Sequence, residues 1–200
     1  MVETNPYLTQ EQRAILSSVH IGVAGLGGLG SNLLSHLVRS GAVHFTVADF
    51  DTVSAGNLNR QFFFADQIGK RKTEAVAENL KRINPDVDLE LHTIRITREN
   101  VSRLFEDCDI VAEAFDAPEM KMFLIEELRN AGKTVVAASG LAGFGRSNEM
   151  RLRKAGERLY IAGDLISAIS PAMHPASPRV GIAAAMQANT IIALLLGIEI

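Results

Sequence analysis

The stretch Asp49-Phe-Asp-Thr-Val-Ser-Ala-Gly-Asn-Leu-Asn-Arg-Gln61 gathers two carboxylates, an arginine and several side-chain amides directly after an apolar run, Phe45–Ala48. Arg60 can fork onto phosphate oxygens, Asn57 and Gln61 can donate through their amides, and Lys72 downstream adds a point charge. Upstream, Gly25, Gly27 and Gly30, with Gly28 between them, complete a G-x-G-x-x-G pattern. Glycines there permit a tight turn and let phosphate oxygens approach the backbone, while the helix that follows offers unpaired N–H groups and a positive dipole end. Asp116 lies in Glu113-Ala-Phe-Asp-Ala-Pro118, just beyond a predicted strand. A carboxylate at that edge suits a magnesium ion that keeps waters and phosphates as its other ligands.

The glycine loop alone does not name the nucleotide. Asp49 ends the second predicted strand, where a carboxylate can accept hydrogen bonds from both ribose hydroxyls of NAD or of ATP. An NAD-dependent oxidoreductase accounts for the loop and for Asp49, yet it leaves Arg60, Lys72 and Asp116 without roles. A triphosphate with a metal uses all of them. No G-x-x-x-x-G-K-[ST] is present, so a P-loop enzyme is excluded.

The elements that must position these groups follow from periodicity and punctuation. Thr9 with Gln12 has capping-box spacing, which predicts a short helix to about Ser17. His20–Ala24 reads as a buried strand, followed by the glycine loop and a helix to about Arg39. Val43–Ala48 is the second strand, Asp66–Arg82 a helix, and Val87–Ile94 an alternating strand. Thr97 opens a helix to Phe105; Asp109–Glu113 is a strand, Glu119–Asn130 a helix and Lys133–Ala138 a strand. This alternation predicts an α/β fold with a mostly parallel, doubly wound, Rossmann-like sheet. Beyond residue 140, Glu149–Leu152 and Arg158–Ile161 form an antiparallel, hairpin-like extension. Ile166–Arg179 is expected to be a loop, and a final helix packs back. The expectation is one domain over 1–200: an N-terminal helical segment 1–18, a nucleotide-binding core 19–140, and a hairpin, loop and helix over 141–200.

Composition narrows the class. The 200 residues are 47% hydrophobic and 22% charged, the range of globular chains. The net charge of −3 argues against a nucleic-acid partner, which usually draws on a basic excess. The single cysteine, Cys108, precludes an internal disulfide or a multi-cysteine zinc site, so no structural zinc is expected. The N-terminus has no basic and apolar leader pattern, and the apolar stretch Val180–Leu196 is interrupted by Gln187, Asn189 and Thr190. No membrane span is expected, and the default setting is the reduced cytoplasm.

With these residues in view, the chain resembles the ThiF/MoeB/HesA group, prokaryotic relatives of the ubiquitin-activating enzymes. The resemblance is carried by GLGGLGSN at Gly25–Asn32, DFDTVSAGNLNRQ at Asp49–Gln61, GKRK at Gly69–Lys72, RINPDV at Arg82–Val87 and the Asp116 turn. It implies ATP- and magnesium-dependent adenylation of the C-terminal Gly-Gly carboxylate of a small, ubiquitin-fold sulfur-carrier protein. In that scheme Asp49 holds the ribose, Asn57, Arg60 and Lys72 the phosphates, and Asp116 the magnesium, while Asp51 lines the reaction centre. It further implies a homodimer in which an N-terminal arginine reaches the partner's triphosphate. Arg13 is the sole candidate for that role, although it stands closer to the glycine loop than the family pattern places it.

The family's zinc-binding C-x-x-C pairs and its catalytic cysteine are missing, so the chain reads as a compact adenylation unit of the thiamine-pathway type. A persulfide or thioester step would then occur elsewhere, and Cys108 is expected to be a buried structural thiol. Within the family, an ATP-dependent tRNA-modifying dehydratase is the alternative; outside catalysis, a binding partner is another. His20, His36, His44 and His92 have no metal-ligand spacing, while His174 lies in a proline-rich loop that could cover the site. Phe62–Phe64 are expected to pack in the core, and Lys70, Arg71 and Arg146 to be solvated, with Lys70 or Arg71 possible aids to phosphate binding.

Overall fold

The computed structural model describes residues 5–200. Its elements are α1 (Gln10–Ser18), β1 (His20–Ala24), α2 (Gly28–Arg39), β2 (His44–Ala48), α3 (Lys72–Ile83), β3 (Asp88–His92), α4 (Val101–Leu104), β4 (Ile110–Glu113), α5 (Pro118–Asn130), β5 (Thr134–Ala138), β6 (Arg151–Gly156), β7 (Leu159–Gly163) and α6 (Ser177–Leu195). The strands form one sheet in the order β3-β2-β1-β4-β5-β7-β6, parallel throughout except where β6 runs against β7. This is the expected Rossmann-like α/β fold with a C-terminal antiparallel pair.

Strand alternation builds a core on each side of the sheet. Ile21 and Val23 of β1, Phe45 and Val47 of β2 and Ile110 of β4 pack with α2, α3 and α6 through Leu33, Leu37, Val76, Leu80, Ala184 and Ile191. The alternate residues Ala24, Ala48 and Val111 face Val101, Phe105, Leu124 and Leu128 on the side of α4 and α5. Because β1 has β2 on one side and β4 on the other, the chain reverses its winding between β1 and β4. In open α/β sheets that switch point, at the carboxyl ends of the strands, is where ligands bind. The apolar helix α6 is long enough to cross a membrane by length and composition. Here it buries Val180, Ala183, Ala184, Gln187, Ala188 and Ile191, and serves as a core helix.

Several boundaries differ from the sequence expectation for local reasons. The capping box at Thr9 is present: the Gln12 N–H donates to Thr9 Oγ1 at 3.1 Å and the Thr9 N–H to Gln12 Oε1 at 3.0 Å. The helix expected from Asp66 instead begins at Lys72, since Gly69 adopts φ +90° and Ala65–Gln67 forms a separate 3₁₀ turn. The helix expected over Thr97–Phe105 shrinks to Val101–Leu104, because the Asn100 side chain accepts from the Thr97 N–H and closes a turn first. The hairpin is longer than expected, and β7 joins β5 in parallel, so the extension continues the main sheet. The loop expected over Ile166–Arg179 gives way to α6 already at Ser177, with Pro178 in its first turn.

Candidate active site

The glycine loop leaves β1 at its carboxyl end. Gly25 adopts φ +98°, which disfavours any residue with a side chain, and its N–H bonds the Ala48 carbonyl at 2.9 Å. A Cβ on Gly30 would overlap the Gly25 carbonyl oxygen, so α2 can begin this close to the turn only with glycine there. Gly27 is the N-cap of α2, whose first turn leaves backbone N–H groups without intrahelical partners.

Asp49 locks the second strand end to this loop. Its Oδ2 accepts from the Leu26 N–H at 2.6 Å and its Oδ1 from the Asp51 N–H at 2.7 Å, with the residue 9% exposed. A carboxylate has about four acceptor positions, so two remain for hydroxyls of a bound sugar. The stretch after Asp49 folds back on itself: the Val53 N–H bonds the Lys70 carbonyl and the Lys72 N–H bonds the Asp51 carbonyl. That pairing sets the start of α3 beside Asp51. The Lys72 ammonium is buried (5% exposed) and lies 2.8 Å from Asp51 Oδ2.

Asn57 and Arg60 stand on the short turns that follow. Asn57 Oδ1 accepts from the Ser54 N–H at 3.0 Å, which turns its Nδ2 donors outward from that bond. The Arg60 stem runs alongside Gly28, where an added Cβ would sit 3.4 Å from Arg60 Cγ. Among the described residues its head bonds neutral acceptors, the Gly56 carbonyl at 3.2 Å and Asn59 Oδ1 at 2.8 Å. Asn32 of α2 clasps the same segment, donating to the Gly28 and Arg60 carbonyls at 2.6 and 2.9 Å. Gln61 is buried beside Gly27, and its Oε1 has no partner within the described residues. An unsatisfied buried acceptor costs about 1–3 kcal/mol until a ligand or water completes it.

The Asp116 turn closes the other side. A Cβ on Gly25 would lie 3.1 Å from the Ala114 carbonyl oxygen and 3.2 Å from the Phe115 ring, so the two loops abut. Asp116 itself is exposed. The turn is anchored by Glu113, fully buried at the end of β4, which takes Lys121 Nζ at 2.9–3.0 Å and the Phe115 N–H at 2.7 Å. Burial pushes the Glu113 carboxyl up, and Lys121 opposes it. Gln187 of α6 donates to the Glu113 and Val136 carbonyls at 2.9 Å each, tying the ends of β4 and β5 to α6. Glu113 and Lys121 have no role assigned from the sequence, and Gln187 enters only as one of the polar residues interrupting an apolar stretch. The available signal is an acid ending an apolar strand and an amide inside an apolar helix.

Thus Gly25, Gly27, Gly28, Gly30, Asp49, Asp51, Asn57, Arg60, Gln61, Lys72 and Asp116 come from three strand-to-helix connections, those after β1, β2 and β4, to one edge of the sheet. Arg13 does not join them. Leu8, just before its helix, and Leu16 within it lie beside Gly41 at the opposite edge, and Arg13 Nη2 donates to the Leu8 carbonyl at 3.2 Å. Among the phenylalanines, Phe63 is buried but Phe64 is 45% exposed, so the expected core packing holds for only part of the run. Lys70 pairs with Glu78 at 2.7 Å, Arg71 donates to the Phe50 carbonyl, and His174 is exposed. Cys108 is 2% exposed, and burial raises its thiol to about 11, which keeps it protonated and unreactive. A cleft of about 520 Å³ lined by Met122, Glu126, Arg129 and Arg158 lies on the α5 side, and none of the loop-edge residues lines it.

Residues 4–200 match the ThiF family. The chain belongs to that family. The adenylyltransferase and sulfurtransferase UBA4 of Candida glabrata is 36% identical to this ThiF-family chain over 132 residues, 66% of this chain and 30% of that protein. Ubiquitin-like modifier-activating enzyme 5 of Oryza sativa subsp. japonica is 30% identical over 184 residues, 81% of this chain and 44% of that one. The chain therefore spans less than half the length of either relative. The E. coli tRNA N6-threonylcarbamoyladenosine dehydratase TcdA, solved with ATP, shares the fold with a TM-score of 0.88 at 20% identity, over 97% of this chain and 92% of that one. E. coli MccB with ATP gives 0.72 at 20% identity, over 92% and 57%.

Proposed function

We propose that this chain binds ATP at the switch point and adenylates the C-terminal Gly-Gly carboxylate of a small ubiquitin-fold carrier protein, releasing pyrophosphate. One feature supports the reading: Asn57, Arg60 and Lys72 lie on the segment that leaves β2 at the same carboxyl edge as the glycine loop, with Arg60 beside Gly28, a set of amide and cationic groups that a triphosphate uses and a dinucleotide does not. In the reaction a carboxylate oxygen attacks the α-phosphorus, the bond to the bridging oxygen breaks, and pyrophosphate leaves with its electron pair. No protein nucleophile is needed, which agrees with the inert Cys108. Asp49 fixes the ribose, the Gly25–Gly30 backbone and Asn57 orient the phosphates, and Arg60 and Lys72 neutralise charge that grows on the leaving group.

Among the described residues no three His, Cys, Asp or Glu gather into a metal cage. A single exposed carboxylate, Asp116, fits magnesium, which is commonly bound by one or two carboxylates with phosphates and waters completing its shell. When bound there it would supply charge neutralisation at the phosphates. Arg13 faces away from its own site, so any part it takes in the chemistry comes from a second copy in a homodimer. The finer reading is a carrier of the thiamine-pathway type. Its rival is adenylation during tRNA modification, which the fold likeness to TcdA keeps in view. Titration with ATP and NAD separates the nucleotide classes: saturable ATP binding without NAD binding is expected, and the reverse overturns the proposal. Pyrophosphate exchange with carriers or with tRNA then separates the substrates.

A further inference from the structure

Arg179, at the start of α6, is 2% exposed and holds two loops at once. Its Nη2 lies 2.6 Å from Asp164 Oδ2, and its Nη1 donates to the Gly145 carbonyl at 2.7 Å. A longer contact of 3.4 Å reaches the Gly140 carbonyl. Asp164, 3% exposed just after β7, in turn accepts from the Ile166 and Ser167 N–H groups at 2.8 Å each and from the Ser167 hydroxyl. The loop after β5 is pressed onto this carboxylate, for a Cβ on Gly140 would overlap Asp164 Oδ1. The next residue along α6, Val180, abuts the phosphate loop: a Cβ on Gly28 would lie 2.7 Å from Val180 Cγ1. One turn of helix therefore joins the glycine loop to loops 140–145 and 164–167.

The chemistry of the joint points to placement rather than bulk stability. Replacing a buried ion pair by apolar packing is often neutral or stabilising, so such a pair is weak grounds for a purely stabilising role. A guanidinium, by contrast, directs several donors from one rigid fork and can fix two backbones at once. What it fixes is unusual. Leu165 at φ +64° and Arg146 at φ +51° sit in left-handed conformations that persist only when their surroundings hold them. These loops expose Phe144 (79%) and Ile166 (77%), and they leave β5 and β7 at the same carboxyl edge from which the Asp116 turn leaves β4.

Resting on the adenylation reading above, we propose that Arg179, through Asp164 and the Gly145 carbonyl, is a positioning residue that sets the 140–145 loop against the phosphate loop, and so fixes where the carrier's C-terminal tail meets the α-phosphate. Arg179 touches neither ATP nor carrier; it acts through the loops.

Two variants test it. Arg179→Lys keeps a charge for Asp164 but loses the fork to Gly145. Phe144→Ala alters only an exposed side chain and should leave the fold intact. With a ubiquitin-fold carrier ending in Gly-Gly, each variant should bind ATP as the wild type does while KM for the carrier rises, by about tenfold in Arg179→Lys if one buried bond is lost. Hydrogen exchange should quicken over 140–146 in Arg179→Lys and stay unchanged over 25–30. ATP affinity and carrier KM worsening in equal proportion would reduce Arg179 to a structural residue, and carrier KM or loop exchange left at wild-type values would overturn the proposal outright. If the wild type binds ATP but shows no carrier-dependent exchange, the adenylation reading fails. The hydrogen-exchange arm still decides whether Arg179 couples the two loops.

Discussion

Replacing Lys72 by Met separates a phosphate-binding role from a structural one. Met keeps most of the buried stem and removes only the ammonium, which lies 2.8 Å from Asp51 Oδ2. The partner left behind is not stranded, because the Asp51 side chain is 46% exposed and water can re-solvate it. An ion pair open to solvent on one side contributes about 1 kcal/mol or less. For a chain of this size that is a fall in Tm of about 2–4 °C at most. The catalytic loss should be far larger, since one preorganised charge at a developing anion is worth on the order of a hundredfold to a thousandfold in rate. Thermal unfolding and carrier-dependent ATP–pyrophosphate exchange on the same preparation give both numbers. Exchange close to wild type, at unchanged ATP affinity, would refute the assignment of Lys72 to the phosphates. A collapse of Tm in step with activity would show that the buried ammonium serves the fold instead.

Gly30→Ala should force the glycine loop away from α2, because the new Cβ overlaps a backbone oxygen that has no room to yield; overpacking of this kind costs about 1–3 kcal/mol, and ATP affinity by calorimetry should fall with it. The carboxyl of Asp164 tends upward from burial, but hydrogen bonds from Ser167, Ile166 and Arg179 outweigh this and bring it from 3.8 to about 2. It therefore takes up protons less readily folded than unfolded, so the stability it lends is full above about pH 4 and is lost as pH falls toward 2, amounting to about 2 kcal/mol. Denaturant melts across that window should show the loss in wild type and a flatter profile in Asp164→Asn. Cys108→Ala should retain full exchange activity at a cost of about 1 kcal/mol from the small cavity, and native Cys108 should resist alkylating reagents until the protein unfolds.

How much of this was legible beforehand depends on how local the cause is. The bounds of β1 and the capping box of α1 follow from adjacent residues, and the structure reproduces them. The sequence places the start of α3 too early because Ile68, Val76 and Leu80 keep helical spacing, yet Ile68 is 48% exposed and Gly69 breaks the helix ahead of Lys72. The glycines and polar residues of 25–61 announced a shared site by their types and spacing. What they could not announce was Asp49 bonding the Leu26 N–H, or Lys72 folding back on Asp51, since both depend on pairing across the sheet edge. Asp164 and Arg179 were invisible for the same reason. Each is a lone charge beside an apolar run, with nothing local to name its partner, and they meet only where the end of β7 comes to the start of α6. Arg13 shows the converse: a residue singled out by type stands at the far edge of its own chain.

The central claim is that the groups at the switch point activate a carboxylate with ATP. Pyrophosphate exchange into ATP, measured with and without a small ubiquitin-fold carrier ending in Gly-Gly, tests it most directly. The account predicts exchange that requires both magnesium and the intact carrier terminus, and that disappears in Asp116→Ala while ATP-independent folding is kept. Firm ATP binding with no exchange for any such carrier would contradict it.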